Sequence, residues 1–155
     1  MNNIDKKKYV TYDQAVKLKE KEFNEECKYF YDMEFKELTF HIGDVGDIYR
    51  NSEIVNGYGK LNYPMISAPR LTDVVDWLLK HHDIWVYTYP VKPFNPFEGD
   101  EHYPNIVWVS KVLSLKQVNF EKFIDADNGL AVNHHHTPED AISAALDFLL
   151  KDNTK

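Results

Sequence analysis

The sequence predicts an α+β fold, a mostly antiparallel sheet with about three helices packed on one face as a single pair of layers. Three observations predict it. Three segments carry capped, amphipathic helical patterns. The β-rich segments between them come in clusters instead of alternating singly with helices. Of the 155 residues 43% are apolar and 28% charged, the balance of a globular chain able to bury a core. A chain of this length is expected to form a single domain over 1–155, with 1–8 and 152–155 as flexible ends. Strict βαβ alternation is lacking, which disfavours a doubly wound sheet.

The first helix opens at Thr11, where Thr-x-x-Gln (Thr11 to Gln14) spells a capping box and Val10 and Ala15 stand at the positions of a hydrophobic staple. Ala15, Leu18 and Phe23 form its apolar stripe, and its end is expected near Glu22 or Phe23 although no glycine stop stands there. The second helix starts with Pro69 at the first helical position and carries Leu71, Val74, Val75, Leu78 and Leu79 at i, i+3, i+4, i+7 and i+8. His81 and His82 fall in its last turn, where positive charge favours the macrodipole. Trp77 lies roughly 120° from the centre of that stripe at about 100° per residue, so it either packs beneath a loop or faces a partner. The third helix begins at Thr137 with Pro138, Glu139 and Asp140 in its first turn, and Ala141, Ala145, Phe148 and Leu149 line one face. Helices one and three both start Thr-x-x-x-Ala, a match too short to be a repeat.

Strands are expected at Cys27 to Tyr31 and Phe35 to Ile42, joined as a hairpin through Asp32-Met33-Glu34. Ile84 to Tyr89 directly follows the second helix. Asn105 to Leu115 is the strongest β stretch, then Val118 to Asp125 and, past an Asn128-Gly129 turn, Leu130 to Val132. Gly43 to Lys60 holds four of the six glycines and reads as a loop. Pro90, Pro93 and Pro96, with Phe94 and Phe97 directly after the second and third, predict a stiff extended connection of polyproline type.

Lys and Arg number 18 and Asp and Glu 25, a formal charge of −7, so a nucleic-acid sleeve or a basic membrane-surface protein is disfavoured. No apolar run is long enough to span a bilayer, and the first residues lack the apolar stretch of a secretory signal. One cysteine, Cys27, has no internal partner for a disulfide, which fits a reducing cytoplasm.

The candidates for chemistry are incomplete. In His134-His135-His136 successive side chains of an extended segment point in alternate directions, so at most two, His134 and His136, converge on a metal. His135-His136-Thr137 also matches one His-x-Thr half of a two-histidine phosphoesterase, but its natural mate His41 is followed by Ile42-Gly43 and lacks the hydroxyl. Asp125 to Gly129 resembles the start of a calcium loop with its glycine one place early and reads better as a turn. Gly57-Tyr58-Gly59-Lys60 lacks the spacing of a phosphate-binding loop. Cys27 reads as a small buried hydrophobe. No cofactor is expected.

Three stretches, Tyr9 to Cys27, Ala68 to Lys80 and Thr137 to Leu146, taken in that order, resemble small uncharacterised proteins of Bacteroides-type bacteria, their phages and mobile elements. The resemblance covers about half of the chain. Such relatives carry Gly where this sequence has Glu22, which puts the exit from the first helix in question. The resemblance implies a bacterial cytoplasm, that of a phage-infected cell included, and an accessory role; it carries no catalytic residues.

The expected function is accordingly that of a non-catalytic accessory or binding protein acting by surface contact. Its partner is another protein or a second copy, with no membrane and no nucleic acid involved. The expected interaction surface is Trp77, Trp85, Phe94 and Phe97. Two alternatives stand beside it. One is a histidine-dependent phosphoesterase or metal-dependent hydrolase built on His41, His135, His136 and Thr137. The other is a nucleotide or small-molecule sequestering protein using the Gly43 to Lys60 loop.

Overall fold

The computed structural model describes residues 5–40, 50–51, 64–92, 106–114, 124–125 and 135–151. In chain order it contains a 3-10 turn (Lys6–Lys8), helix α1 (Tyr12–Glu20), strands β1 (Tyr29–Asp32), β2 (Leu38–Phe40) and β3 (Met65–Ser67), helix α2 (Leu71–His82), strands β4 (Ile84–Val91), β5 (Val107–Ser114) and β6 (Ile124–Asp125), and helix α3 (Pro138–Leu149). The fold is α+β, with three α-helices and antiparallel pairing throughout the described strands. Those strands form two three-stranded sheets, β2-β1-β3 and β4-β5-β6. The chain divides into two units between Trp77 and Leu78, within α2.

In the first unit α1 starts as its sequence dictates. The Thr11 hydroxyl accepts from the Gln14 amide at 3.3 Å, and Gln14 Oε1 accepts from the Thr11 amide at 3.0 Å, closing the capping box. Val10 and Ala15, the staple pair, are both fully buried. The helix stops two residues earlier than its apolar pattern suggests, and it stops without glycine. Glu22 takes a left-handed conformation at φ 64°. The Phe23 amide then reaches back to the Leu18 carbonyl at 2.9 Å and the Glu22 amide to that of Lys19 at 3.1 Å, the double bond of a Schellman cap. The cap turns Phe23 into the core beside Leu18, both 1% exposed.

The predicted hairpin is present but shorter, β1 pairing with β2 in the register Tyr29↔Phe40, Phe30↔Thr39 and Tyr31↔Leu38. Asp32 builds the turn, its Oδ1 accepting from the amides of Glu34 (2.8 Å) and Phe35 (3.0 Å). Lys36, at φ 55°, brings the chain back. Phe35, expected in the second strand, stands instead at the tip. β3, absent from the sequence-based expectation, pairs with the other side of β1 in the register Phe30↔Ser67, Tyr31↔Ile66 and Asp32↔Met65, which makes β1 central. Asn51, in a segment read as loop, holds this arrangement. Its amide nitrogen donates to the Phe23 carbonyl at 2.9 Å, and its oxygen accepts from the Ser67 amide at 3.1 Å.

Helix α2 begins at Leu71, so Pro69 lies before the helix and not at its first position. Pro69 is buried, and its carbonyl accepts from the Val10 amide at 3.1 Å. Arg70 occupies the cap position, its amide donating to Asp73 Oδ2 at 3.3 Å. The buried residues are Leu71, Val74, Trp77 and Leu78, whereas Leu79 is 39% exposed. The buried arc is thus centred on Val74 and rotated toward Trp77, away from the stripe expected by counting aliphatics alone.

In the second unit, Asp83 at φ 55° is the single residue between α2 and β4. β4 and β5 pair over their full length, from Ile84↔Ser114 to Val91↔Val107. Pro90 is exposed on β4, which is an edge strand among those described. On the far side of β5, β6 pairs through Lys111↔Asp125 and Val112↔Ile124, and His135 bridges Trp108. Helix α3 packs on β4 and β5. Thr137 caps it, the hydroxyl accepting from the Asp140 amide at 3.1 Å, with Pro138 at the first position. Ala141, Ala145, Leu146 and Leu150 are its buried residues, and Phe148 is only half-buried. Most of 115–134 and 93–105, including the Asn128-Gly129 turn, the 130–132 strand, Pro93, Pro96, Phe94 and Phe97, lies outside the described residues.

Glycine at position 22 relieves the left-handed strain, so Glu22→Gly raises stability by about 0.5–1 kcal/mol, read as a higher denaturant midpoint at unchanged slope. Asn51→Ala strands the buried Ser67 amide and costs about 1–3 kcal/mol in the same measurement.

Candidate functional site

Two features could meet a ligand or partner, one in each unit. In the second unit the alternation of β4 places Trp85, Tyr87 and Tyr89 on one face. Their rings lean on one another, Trp85 to Tyr87 at 5.1 Å between centroids and Tyr87 to Tyr89 at 6.1 Å. Across the ladder stand Leu113, Lys111 and Val109, and Lys111 Nζ lies 5.6 Å from the Tyr89 ring centre. The opposite face presents the buried Val86, Ser110 and Val112 toward α3. The aromatic ridge is most open at its Trp85 end, where the indole is 46% exposed; at the far end Val107 is fully buried.

In the first unit a cleft of about 270 Å³ is lined by Tyr9, Glu26, Cys27, Lys28, Tyr29, Ala68, Pro69, Arg70 and Asp73. Chain pairing builds it. Tyr9 bridges Arg70 just before α2, and β1 starts at Tyr29, whose ring lies 4.6 Å from that of Tyr9. The Arg70 guanidinium sits 6.0 Å from the Tyr9 ring centre. Burial raises the Tyr9 phenol above its ordinary value, Arg70 opposing the rise and Tyr29 adding to it.

No protein-family model, curated protein or solved structure matches this chain. Its function is therefore read from its own side chains.

Of the rings expected on an interaction surface, Trp85 is exposed and Phe94 and Phe97 lie outside the described residues. Trp77 is a correction. It is 6% exposed, its ring 5.2 Å from that of Phe23 and near edge-on, so it belongs to the core. The Schellman exit of α1 delivers Phe23 to that contact, which counting helical angles within α2 cannot reveal.

Of the histidines, His41, His102 and His134 lie outside the described residues, so neither the His41–His136 pairing nor a His134–His136 metal pair can be placed. His135 exchanges backbone hydrogen bonds with Trp108 at 2.8 and 3.1 Å, and His136 is exposed. The Thr137 hydroxyl serves as the cap of α3. Among the described residues no group of three or more His, Cys, Asp or Glu is placed to hold a metal, and no helix is long and apolar enough to cross a membrane. Of the Gly43 to Lys60 loop only residues 50 and 51 are described.

Cys27 is 4% exposed, and desolvation pushes its thiol up to about 12, the neighbouring Ser67 hydroxyl opposing the shift. A thiol so held stays protonated at neutral pH and is no nucleophile. Tyr31 is raised by burial as well, and its hydroxyl donates to the Val10 carbonyl at 2.7 Å.

Sequence reasoning missed the cleft entirely, because its lining comes from three separated segments with no spacing signal. Tyr87 and Tyr89 were legible in the Trp-x-Tyr-x-Tyr alternation that marks one face of a strand.

A pKa raised on folding contributes stability that is complete below the unfolded value and lost as pH climbs toward the folded one. Cys27, Tyr9 and Tyr31, ordinarily at 9.0, 10.0 and 10.0, all shift upward, so the denaturant midpoint falls steadily from pH 9 to pH 12. Cys27→Ala removes the part of that fall which begins at pH 9, and the native thiol resists iodoacetamide at pH 8 until the chain is unfolded.

Proposed function

We propose that this chain is a non-catalytic accessory or binding protein that acts by surface contact with another protein chain, a second copy included. The aromatic ridge on β4, with Trp85 exposed and Tyr87 and Tyr89 half-buried, carries this reading. Aromatic side chains at an open, rigid sheet face supply large apolar contact area at low entropic cost, and they are the residues in which binding energy concentrates. A protein partner is favoured over a nucleic acid on two grounds. The rings lean on one another at 5.1 and 6.1 Å between centroids, too close for a base to enter between them, and the chain carries a formal charge of −7. Cys27 is covered, so the chain's thiol is not presented as a nucleophile at the surface. The resemblance to proteins of phages and mobile elements adds the setting, a bacterial cytoplasm, that of an infected cell included.

Sedimentation velocity over a range of concentrations, together with capture from bacterial lysate, tests the reading with wild type, Trp85→Ala and Phe35→Ala. Phe35 is 68% exposed at a hairpin tip of the first unit and serves as the control. Trp85→Ala is expected to weaken self-association or capture about tenfold or more, the size of an interface hot spot, with little change in Tm. Phe35→Ala is expected to leave both unchanged. Identical behaviour of all three proteins, or a wild type that stays monomeric and captures nothing, overturns it.

A further inference from the structure

We propose that the cleft of the first unit binds a small zwitterion of the α-amino-acid type. This site shares no residue with the aromatic ridge, and the proposal does not rest on that reading. Its base is apolar and covered: Tyr9, Cys27, Ala68 and Pro69 are all buried. Its rim is charged and exposed, with the cations Lys28 and Arg70 and the carboxylates Glu26 and Asp73. That rim selects by charge. A metal cation entering the cleft meets a guanidinium and an ammonium, and a phosphate meets two carboxylates. A ligand carrying one charge of each sign is opposed by neither.

The individual groups are arranged for such a ligand. A guanidinium is a planar fork that takes both oxygens of a carboxylate, and Arg70 stands at the rim with its guanidinium 6.0 Å from the Tyr9 ring centre. Asp73 uses Oδ2 for the Arg70 amide and Glu26 uses Oε1 for Arg50 at 2.8 Å, and among the described residues each carboxylate keeps a second oxygen to accept from an ammonium. The tilted Tyr9–Tyr29 pair offers an aromatic wall for a side chain. At about 270 Å³ the volume falls just under the 300–1,000 Å³ of drug-sized ligands and suits a single amino acid.

Isothermal titration calorimetry on the full chain tests this with five probes: L-phenylalanine, glycine, N-acetyl-phenylalanine, phenylalaninamide and inorganic phosphate. Saturable binding of phenylalanine is expected, with glycine weaker for want of a ring. The acetylated and amidated forms, each missing one charge, are expected to bind at least about tenfold more weakly. Arg70→Gln is expected to lose about tenfold in affinity for phenylalanine. Lys28→Gln, at an exposed position without a cap role, is expected to lose less at an unchanged Tm, and it stands in for Arg70→Gln should that variant unfold. Trp85→Ala is expected to bind phenylalanine as wild type does. Absence of saturable phenylalanine binding, equal binding of the blocked forms, or phosphate binding tighter than phenylalanine overturns the proposal.

Discussion

Strand β1 has four residues and must satisfy hydrogen bonds along both of its edges. Most of the first unit follows from that constraint. Buried backbone donors and acceptors left without partners cost stability comparable to a lost hydrogen bond each, so a central strand this short needs neighbours on both sides in matched register. β2 supplies one side through the Asp32 turn. β3 supplies the other, and Asn51 ties β3 to the exit of α1. The Tyr31 hydroxyl then reaches the Val10 carbonyl, fastening the central strand to the approach of α1. The cleft forms beside this core because Tyr9 and Arg70 are bridged at its border.

Local chemistry in the sequence reaches far where a short motif settles the outcome by itself. The Thr11–Gln14 box, the Thr137–Pro138 start and the strands β4 and β5 are all visible in the residues, since caps, prolines and β-rich runs act over a few positions. The two Thr-x-x-x-Ala starts even place their alanines, Ala15 and Ala141, at the same buried position after the cap. Legibility fails where tertiary context overrides the local preference. Glu22 adopts a conformation that favours glycine because Phe23 must turn inward, and the burial of Phe23 in turn draws Trp77 into the core. Three residues at β3 are too few to display a period of two. The cleft is assembled from Tyr9, from 26–29 and from 68–73, and no linear pattern announces such a meeting.

The two candidate surfaces are of different chemical character. The ridge on β4 is apolar, continuous and backed by α3, so its rings stand on a rigid element and not on a loop. The cleft is small, concave and rimmed by opposite charges. The two share no residue, so a variant at one removes no side chain of the other.

The burial of Cys27 has a bearing on how copies of this chain could ever hold together. It is the only thiol in the sequence, it is covered, and it stays protonated well into the alkaline range. Oxidants therefore find no accessible sulfur with which to rivet one molecule to the next. Self-association of folded copies would not run through a Cys27 disulfide, and would follow mass action and be undone by dilution.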